Sequence, residues 1–548
     1  MSHAFDAFVL PRGVELPGPR APSTTEPTTQ PPLRSPHWDA DWVAGLADTL
    51  AARRTELRTR RAADVLDSLA HAGERFGDPR DPIHAEALEL LPSTSGLSRE
   101  MAEAVLDGMA AGWRRKALRR LVEAEFGCVE ALDGFVETRD RVVDGRHGLA
   151  DARDAAAAER RPTGQLTMPA GPRLCVQIVS GSVPGVGVGA LIRSLLVKGP
   201  TLLKAGRGDV ALPVLFGRAL AEVDPELADA LAVLYWPGGS ERLEEAAIGR
   251  ADVVVAYGSD ETVRAVRDRT PVTSRFVAYH HRVSVGVVGR EALVADRMDR
   301  TAAEVARAVA LFDQRGCVSP QVIYVEVGGK AGGKDAAEGS AAGRSASRGG
   351  RSAAQLFAHR LARAFEELEA RLPGGTLDVE EASAVQQLRG TAELRAASGS
   401  PVEVGHGGDS SWTVVYEAEA EAGPSPSCVG RVVRIRPLGG LDELPALLEP
   451  ARHHLQTVGI AGLGARAPML ATELGRLGVS RVAPFTSVAF PPADWHHDGG
   501  RPLGDLVRWV DLEPEGDFRR DAELGRDAEL GPGADRGPGA DRGLGAGE

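Results

Sequence analysis

Apolar residues recur at three- and four-residue spacing from Trp38 onward. In WVAGLADTLAARRTELRTRRAADVLDSLAHAG and SREMAEAVLDGMAAGWRRKALRRLVEAEFG they mark one face of successive amphipathic helices. Ser98, followed by Glu100, supplies a cap region for the second run. The pattern predicts a helical N-terminal region over residues 38–159. At about Leu174 the texture changes. LCVQIVS, PTLLKAG, LAVLYW and DVVVAYG are short apolar runs with β-favouring residues. GVGVGALIRSLLVKG, ALPVLFGRALAEV, SERLEEAAIG and the segment from Asp260 are helical runs between and after them. This alternation predicts an α/β fold with a parallel sheet wound by crossovers. One sheet domain is expected over residues 160–288 and a second over 289–475, with a closing segment over 476–515.

Three stretches lack such patterning. Residues 1–37 are rich in Pro, Thr and Ser and read as a disordered arm. The Gly/Ala/Ser tract at 328–353 reads as a flexible insertion between the strand QVIYVEV and the helix AQLFAHRLARAFEELEARL. The tail over 516–548 repeats RDAELG and PGADRG and reads as disordered.

Composition narrows the function classes. A chain of 548 residues with 43% hydrophobic residues is too long for one core and holds two or three domains. Its net charge of -13 argues against nucleic acid as a partner. The runs Arg53-Arg54 and Arg114-Arg115-Lys116 lie among acidic residues and fit solvated helix faces. The four cysteines include no Cys-x-x-Cys pair, so neither a disulfide framework nor a zinc site is expected, and a reducing cytoplasm fits. No secretory signal is expected, and no apolar stretch of about 18 residues suits a membrane span.

Cys317 stands where the apolar helix TAAEVARAVALF runs into a Gly-bearing turn before a strand. A thiol there can meet a ligand among backbone N–H donors that stabilise a thiolate and then an oxyanion. An inert buried cysteine is the competing reading. Gly258 and Ser259 end the strand VVVAY and open a helix, a place for an anion or simply a helix cap. GVGVGA does not have the Gly-x-Gly-x-x-Gly spacing of a dinucleotide fingerprint. Trp495-His496-His497-Asp498 is no metal site on this reading, because adjacent residues of an extended segment point apart.

Taken together, four segments resemble the aldehyde dehydrogenase superfamily. Phe312-Asp313-Gln314-Arg315-Gly316-Cys317 is similar to its nucleophile segment. LCVQIVSGSVPG…LLVKGPTLLKAGRGD and ADVVVAYGSDETVRAV resemble its cofactor-binding strands and loops. GVSRVAPFTSVAFPPADWHHDGGRPLGDLVRWVDLE resembles the closing segment of acyl-CoA reductases, the branch typified by the reductase subunit of bacterial luminescence. The resemblance implies a Rossmann-type cofactor domain over 160–288 and a catalytic domain over 289–475. It implies NADPH-dependent reduction of an acyl-CoA or acyl-carrier thioester to an aldehyde through a Cys317 thioester, in a homo-oligomer. It places Lys204 on the adenosine ribose and Gly258 and Ser259 on the pyrophosphate. It puts Arg207, a cation suited to a 2′-phosphate, where NAD enzymes carry Glu.

Two departures follow. Ala278 falls near the family's water-activating Glu, which suits an enzyme that must not hydrolyse its acyl intermediate. His280 or His281 serves there as proton donor or is a structural pair. The family's oxyanion Asn has no counterpart, leaving Ser182 or backbone N–H groups to substitute. The competing functions are an oxidising aldehyde dehydrogenase, a cysteine acyltransferase or hydrolase without nicotinamide, and a non-catalytic scaffold. An acyl-donor protein partner is a further expectation, captured through Arg344, Arg348 and Arg351 of the tract.

Overall fold

The first long helix shows how the sequence sets the architecture. Asp39 accepts the Trp42 backbone N–H at 2.8 Å and caps the helix Ala40–Ala52. Val43, Leu46, Ala47 and Leu50 then fall at i, i+3, i+4 and i+7 on its buried face. Burying a leucine there contributes about 1.5–3 kcal/mol. These side chains pack with Leu174, Val176, Leu202, Leu234 and Val254 in one core cluster. Helices Arg54–Thr59, Ala62–Glu74, Pro82–Ser95, Arg99–Ala111 and Arg115–Phe126 complete the N-terminal helical region. Ser98 caps the fourth of these by accepting the Met101 N–H at 3.1 Å.

The computed structural model describes residues 4–17, 24–26, 32–140, 161–328, 351–408, 411–419, 423–424 and 428–513. The expectations for the tract at 328–353 and the tail from 516 fall almost wholly outside these residues. The first sheet has five parallel strands in the order Arg275–Tyr279, Val253–Tyr257, Cys175–Ile178, Thr201–Ala205, Leu231–Tyr235. The central three are buried throughout, which suits a parallel sheet covered on both faces. The second sheet has seven strands, in the order Val402–His406, Thr413–Glu417, Val432–Leu438, Pro320–Glu326, Val283–Val288, Leu455–Ala461, Arg481–Pro484. Only its first pair is antiparallel. Of the described residues, 134–140, 161–168 and 509–513 form a separate unit. A three-stranded sheet is formed by Val136–Asp140, Arg161–Ala170 and Arg508–Leu512, the first two antiparallel.

Part of the expected N-terminal arm is ordered. Val9 and Val233 exchange backbone hydrogen bonds at 3.0 and 2.9 Å, and Arg12 pairs with Asp229 at 2.8 Å. Phe5 and Leu33 are buried, and Phe5–Asp6 pairs with Leu33–Ser35. The Pro/Thr composition obscured this. The apolar residues flanking that stretch cover Leu231–Tyr235, an edge strand whose backbone groups would otherwise lie open.

Candidate active site

Three consecutive residues just before Cys317 take left-handed backbone conformations: Phe312, Asp313 and Gln314, with φ of 58°, 48° and 64°. Each costs about 1–2 kcal/mol for a residue with a Cβ. The surroundings hold them. Gln314 Nε2 donates to the carbonyls of Pro320 at 2.9 Å and Val432 at 2.7 Å, while its Oε1 accepts the Val432 N–H at 2.7 Å. Asp313 accepts from Arg431 Nε at 3.0 Å and from the Gly375 N–H at 3.1 Å. Arg431 is itself buried and also pairs with Glu369 at 2.8 Å. Hydrogen bonds to charged groups contribute about 1.5–3 kcal/mol each, enough to offset the strain. The result is a fixed turn that delivers Cys317 to the foot of the strand Pro320–Glu326.

Cys317 is half-buried, and its carbonyl accepts from Ser284 Oγ at 2.6 Å. Burial, and then the charge of Asp498, pushes its thiol up to about 11. A hydrogen bond from Gln456 and the charge of Arg282 oppose the rise. At neutral pH the resting form is therefore the thiol. Asp498 is itself held, accepting Arg282 Nε at 2.9 Å and Gln456 Nε2 at 2.6 Å. Cys175 lies inside the first sheet, where burial pushes its thiol up to about 12, which leaves it without a nucleophile's surroundings.

Cys317 lines a cavity of about 190 Å³. Met109, Trp113, Leu118 and Leu121 of the N-terminal helices wall one side, with Phe312 and Phe490 nearby. Gly108 admits the Phe490 ring, since a Cβ there would lie 2.3 Å from it. The loop and helix from Val183 to Arg193 form another wall. Asp209 secures that wall by accepting the N–H groups of Gly185 at 2.7 Å and Gly187 at 2.6 Å. Burial pushes its carboxyl up to about 7. No lining residue carries a carboxylate. The lining side chains with N–H donors are Arg193, Trp113, Trp495 and His497. Arg193 gives one to the Tyr257 hydroxyl at 2.9 Å.

The remaining sequence-derived residues lie around the carboxyl ends of the first sheet. Lys204 is the penultimate residue of the strand Thr201–Ala205 and is buried, which holds its ammonium below the usual lysine range, with Glu244 opposing. Arg207 is exposed in the next loop. Ser259 caps the helix Asp260–Arg269 by accepting the Thr262 N–H at 3.2 Å, and Gly258 precedes it. Ser182 is exposed and outside the cavity lining. His280 and His281 also lie outside the lining. His280 Nδ1 is 3.4 Å from Asp260, and His280, His454 and Asp260 bring potential ligand atoms within 4.8 Å of one another. Burial, and next His454, lowers the His281 pKa.

Sequence reasoning missed Gln456, His497 and Asp498 as neighbours of this site. From sequence, Trp495-His496-His497-Asp498 falls only in the closing segment, as no metal site. The structure instead lays Trp495 and His497 on the cavity and Asp498 beside Cys317. Four aromatic or charged residues in a row were the available signal.

Comparison with known proteins adds a family match. The family described as acyl-CoA reductase (LuxC) matches residues 158–342 and 346–509. The long-chain acyl-protein thioester reductase of Aliivibrio fischeri is 23% identical over 356 residues, covering 64% of this chain and 66% of that protein. A second such reductase, from Photobacterium leiognathi, is 22% identical with the same coverage. The chain thus spans just under two thirds of these relatives' length. Among solved structures, an NADP-dependent glyceraldehyde-3-phosphate dehydrogenase from Bacillus halodurans C-125 has a TM-score of 0.64 at 14% identity, covering 93% of this chain and 99% of its own. Aldehyde dehydrogenase 21 from Physcomitrella patens has a TM-score of 0.65 at 12% identity, covering 93% and 98%. The fold is that of the aldehyde dehydrogenases.

Proposed function

The chain belongs to the acyl-CoA reductase (LuxC) family, and on that premise we propose that it reduces a fatty acyl thioester to the aldehyde with NADPH, through an acyl group carried on Cys317. The observation that carries this is a cysteine in the lining of a largely apolar cavity that has no carboxylate in that lining. The apolar wall suits an acyl chain. Ala278 falls near the general base of oxidising relatives, and the carboxylate beside Cys317, Asp498, is held by Arg282 and Gln456, which limits activation of water against the acyl-enzyme.

A nicotinamide nucleotide fits the carboxyl ends of the first sheet. Gly206 and Gly208 press against Gly181 so closely that added Cβ atoms would fall 2.2 Å from its backbone N and O. Backbone alone therefore forms that shelf. Lys204 and Arg207 would hold the adenosine end and its 2′-phosphate, and Gly258 and Ser259 the pyrophosphate. When bound, the reduced nicotinamide supplies a hydride to the acyl carbon.

The chain's own residues do the rest. The Cys317 thiol gives up its proton to solvent, and its sulfur bonds to the thioester carbon. The carrier sulfur leaves and takes up a proton from solvent. Once the acyl carbon has gained hydride, its alkoxide re-forms the carbonyl, the C–S bond breaks, the aldehyde is released, and the Cys317 thiolate regains its proton from solvent. Covalent catalysis divides one hard step into two. The acyl carrier is coenzyme A or a protein, the latter in keeping with the names of the Aliivibrio and Photobacterium relatives. The test is incubation with NADPH and a series of saturated acyl-CoAs, following nucleotide oxidation, aldehyde, and acyl adducts by mass spectrometry. Aldehyde formation that disappears in Cys317→Ser supports the reading. Turnover without an adduct on Cys317, or an adduct on Cys175 or Cys428, would sink it.

A further inference from the structure

His497 is clamped between two rings. Tyr279 stacks on one face at 4.2 Å and 21°, and Trp495 on the other at 4.6 Å and 26°. Tyr279 is stacked in turn on Tyr257 at 4.6 Å. With both faces covered, the imidazole can present only its edge, where its nitrogens lie, and it lines the same cavity as Cys317. Among the described residues no side-chain hydrogen bond occupies either ring nitrogen. Of the groups that the sequence offers for charge stabilisation, the side chains of Ser182, His280 and His281 lie outside that lining, which leaves backbone N–H groups beside Cys317 and the lining side chains.

Resting on the acyl-thioester reading above, we infer that His497 donates a hydrogen bond to the carbonyl oxygen of the acyl group on Cys317 and stabilises the oxyanion formed there. Desolvation, with Arg193 and Arg282 adding to it and Asp498 opposing, lowers its pKa to about 4. The ring is therefore neutral across the physiological range and keeps one N–H. A donor, and not an acid, is what the chemistry needs. Acyl transfer forms an alkoxide that collapses by expelling a thiolate. Hydride arrival forms a second alkoxide that collapses by expelling the Cys317 thiolate. Neither collapse consumes a proton at oxygen, so His497 retains its own throughout. A preorganised neutral imidazole costs no reorganisation when the charge appears.

The experiment uses the full chain and p-nitrophenyl octanoate, an activated ester that reports acylation of Cys317 whatever the natural carrier. His497→Phe keeps the stack and removes the donor, while His497→Gln keeps a donor. The nitrophenolate burst should slow by about a hundred- to a thousandfold in His497→Phe, the usual cost of an oxyanion donor. His497→Gln should recover at least about a tenth of the wild-type rate. Alkylation of Cys317 by iodoacetamide, which forms no oxyanion, should change less than about threefold in either variant. Only a role at the carbonyl separates the two reactions; a merely structural role would disturb both. A wild-type burst rate in His497→Phe overturns the inference and leaves the backbone N–H groups beside Cys317, or Arg193, Trp113 or Trp495, as donor. So does the lack of any Cys317-dependent burst in the wild type. A wild-type burst that His497→Phe slows, without aldehyde from any acyl-CoA and NADPH, would refute the proposed function and leave the His497 assignment standing.

Discussion

Replacing Gln314 by glycine should cost the fold less than replacing it by alanine, the reverse of the usual order. Both variants lose the same three hydrogen bonds, to Pro320 O and to Val432 N and O. At about 0.5–1.5 kcal/mol each, and more for partners left buried and unpaired, both should be destabilised by roughly 2–5 kcal/mol. The difference between them isolates the backbone. At φ 64° an alanine bears about 1–2 kcal/mol of left-handed strain that glycine escapes. Glycine's greater freedom in the unfolded chain returns about 0.4–1 kcal/mol to alanine. The balance favours glycine by about 1 kcal/mol, roughly fivefold in the unfolding constant. Urea unfolding followed by tryptophan fluorescence reads the midpoints, and matching slopes make them comparable. Alanine equal to or above glycine would show that the turn relaxes out of the left-handed region once the amide is gone, and that the strain argument fails.

Arg207→Glu should erase or reverse a preference for NADPH over NADH, since a charge-assisted phosphate contact is worth about 1.5–3 kcal/mol, or roughly ten- to a hundredfold in affinity. Titrating both nucleotides into wild type and variant decides it, and equal use of NADH by the wild type refutes the role given to Arg207. Because burial raises the Cys317 thiol to about 11, its thiolate fraction grows with pH up to that value. Iodoacetamide alkylation should thus climb about tenfold per pH unit through neutrality, and a plateau near neutral pH contradicts it. Asp498→Asn removes the charge that adds to this rise and should shift the same profile to lower pH. Asp209→Asn offers one acceptor oxygen to the two N–H groups of Gly185 and Gly187. It should cost about 1–3 kcal/mol in urea unfolding, and an unchanged midpoint would show that the cap is dispensable.

The elements that the sequence announced are those whose signal is local. Strands such as DVVVAYG and LAVLYW are buried on both faces and read as continuous apolar runs, and the helices from Trp38 on repeat every three to four residues. The nucleophile turn was visible as a motif, but its shape was not. Nothing in Phe312-Asp313-Gln314 favours three left-handed residues, and they depend on Arg431 and Val432, more than a hundred positions downstream. The partners of Cys317 were hidden for the same reason. Gln456 reaches it because its strand lies beside Val283–Val288, and Asp498 because Arg282 and Gln456 hold it. Such meetings are set by sheet order, not by spacing along the chain. The N-terminal arm misled in the opposite sense, since a few apolar residues at its ends outweigh the proline-rich stretch between them.

The anchoring of Gln314 by Val432, 118 residues further along the chain, has a consequence for biosynthesis. As the polypeptide leaves the ribosome, Cys317 emerges long before the residues that shape its turn. Until the strand Val432–Leu438 has been made and docked beside Pro320–Glu326, the thiol belongs to an unshaped segment with the reactivity of an ordinary peptide cysteine. A chain arrested before Gly430 should therefore alkylate at the rate of an unfolded peptide, and the completed chain far more slowly at the same pH. The cavity beside Cys317 is complete only when the whole second sheet and the residues up to His497 have been made.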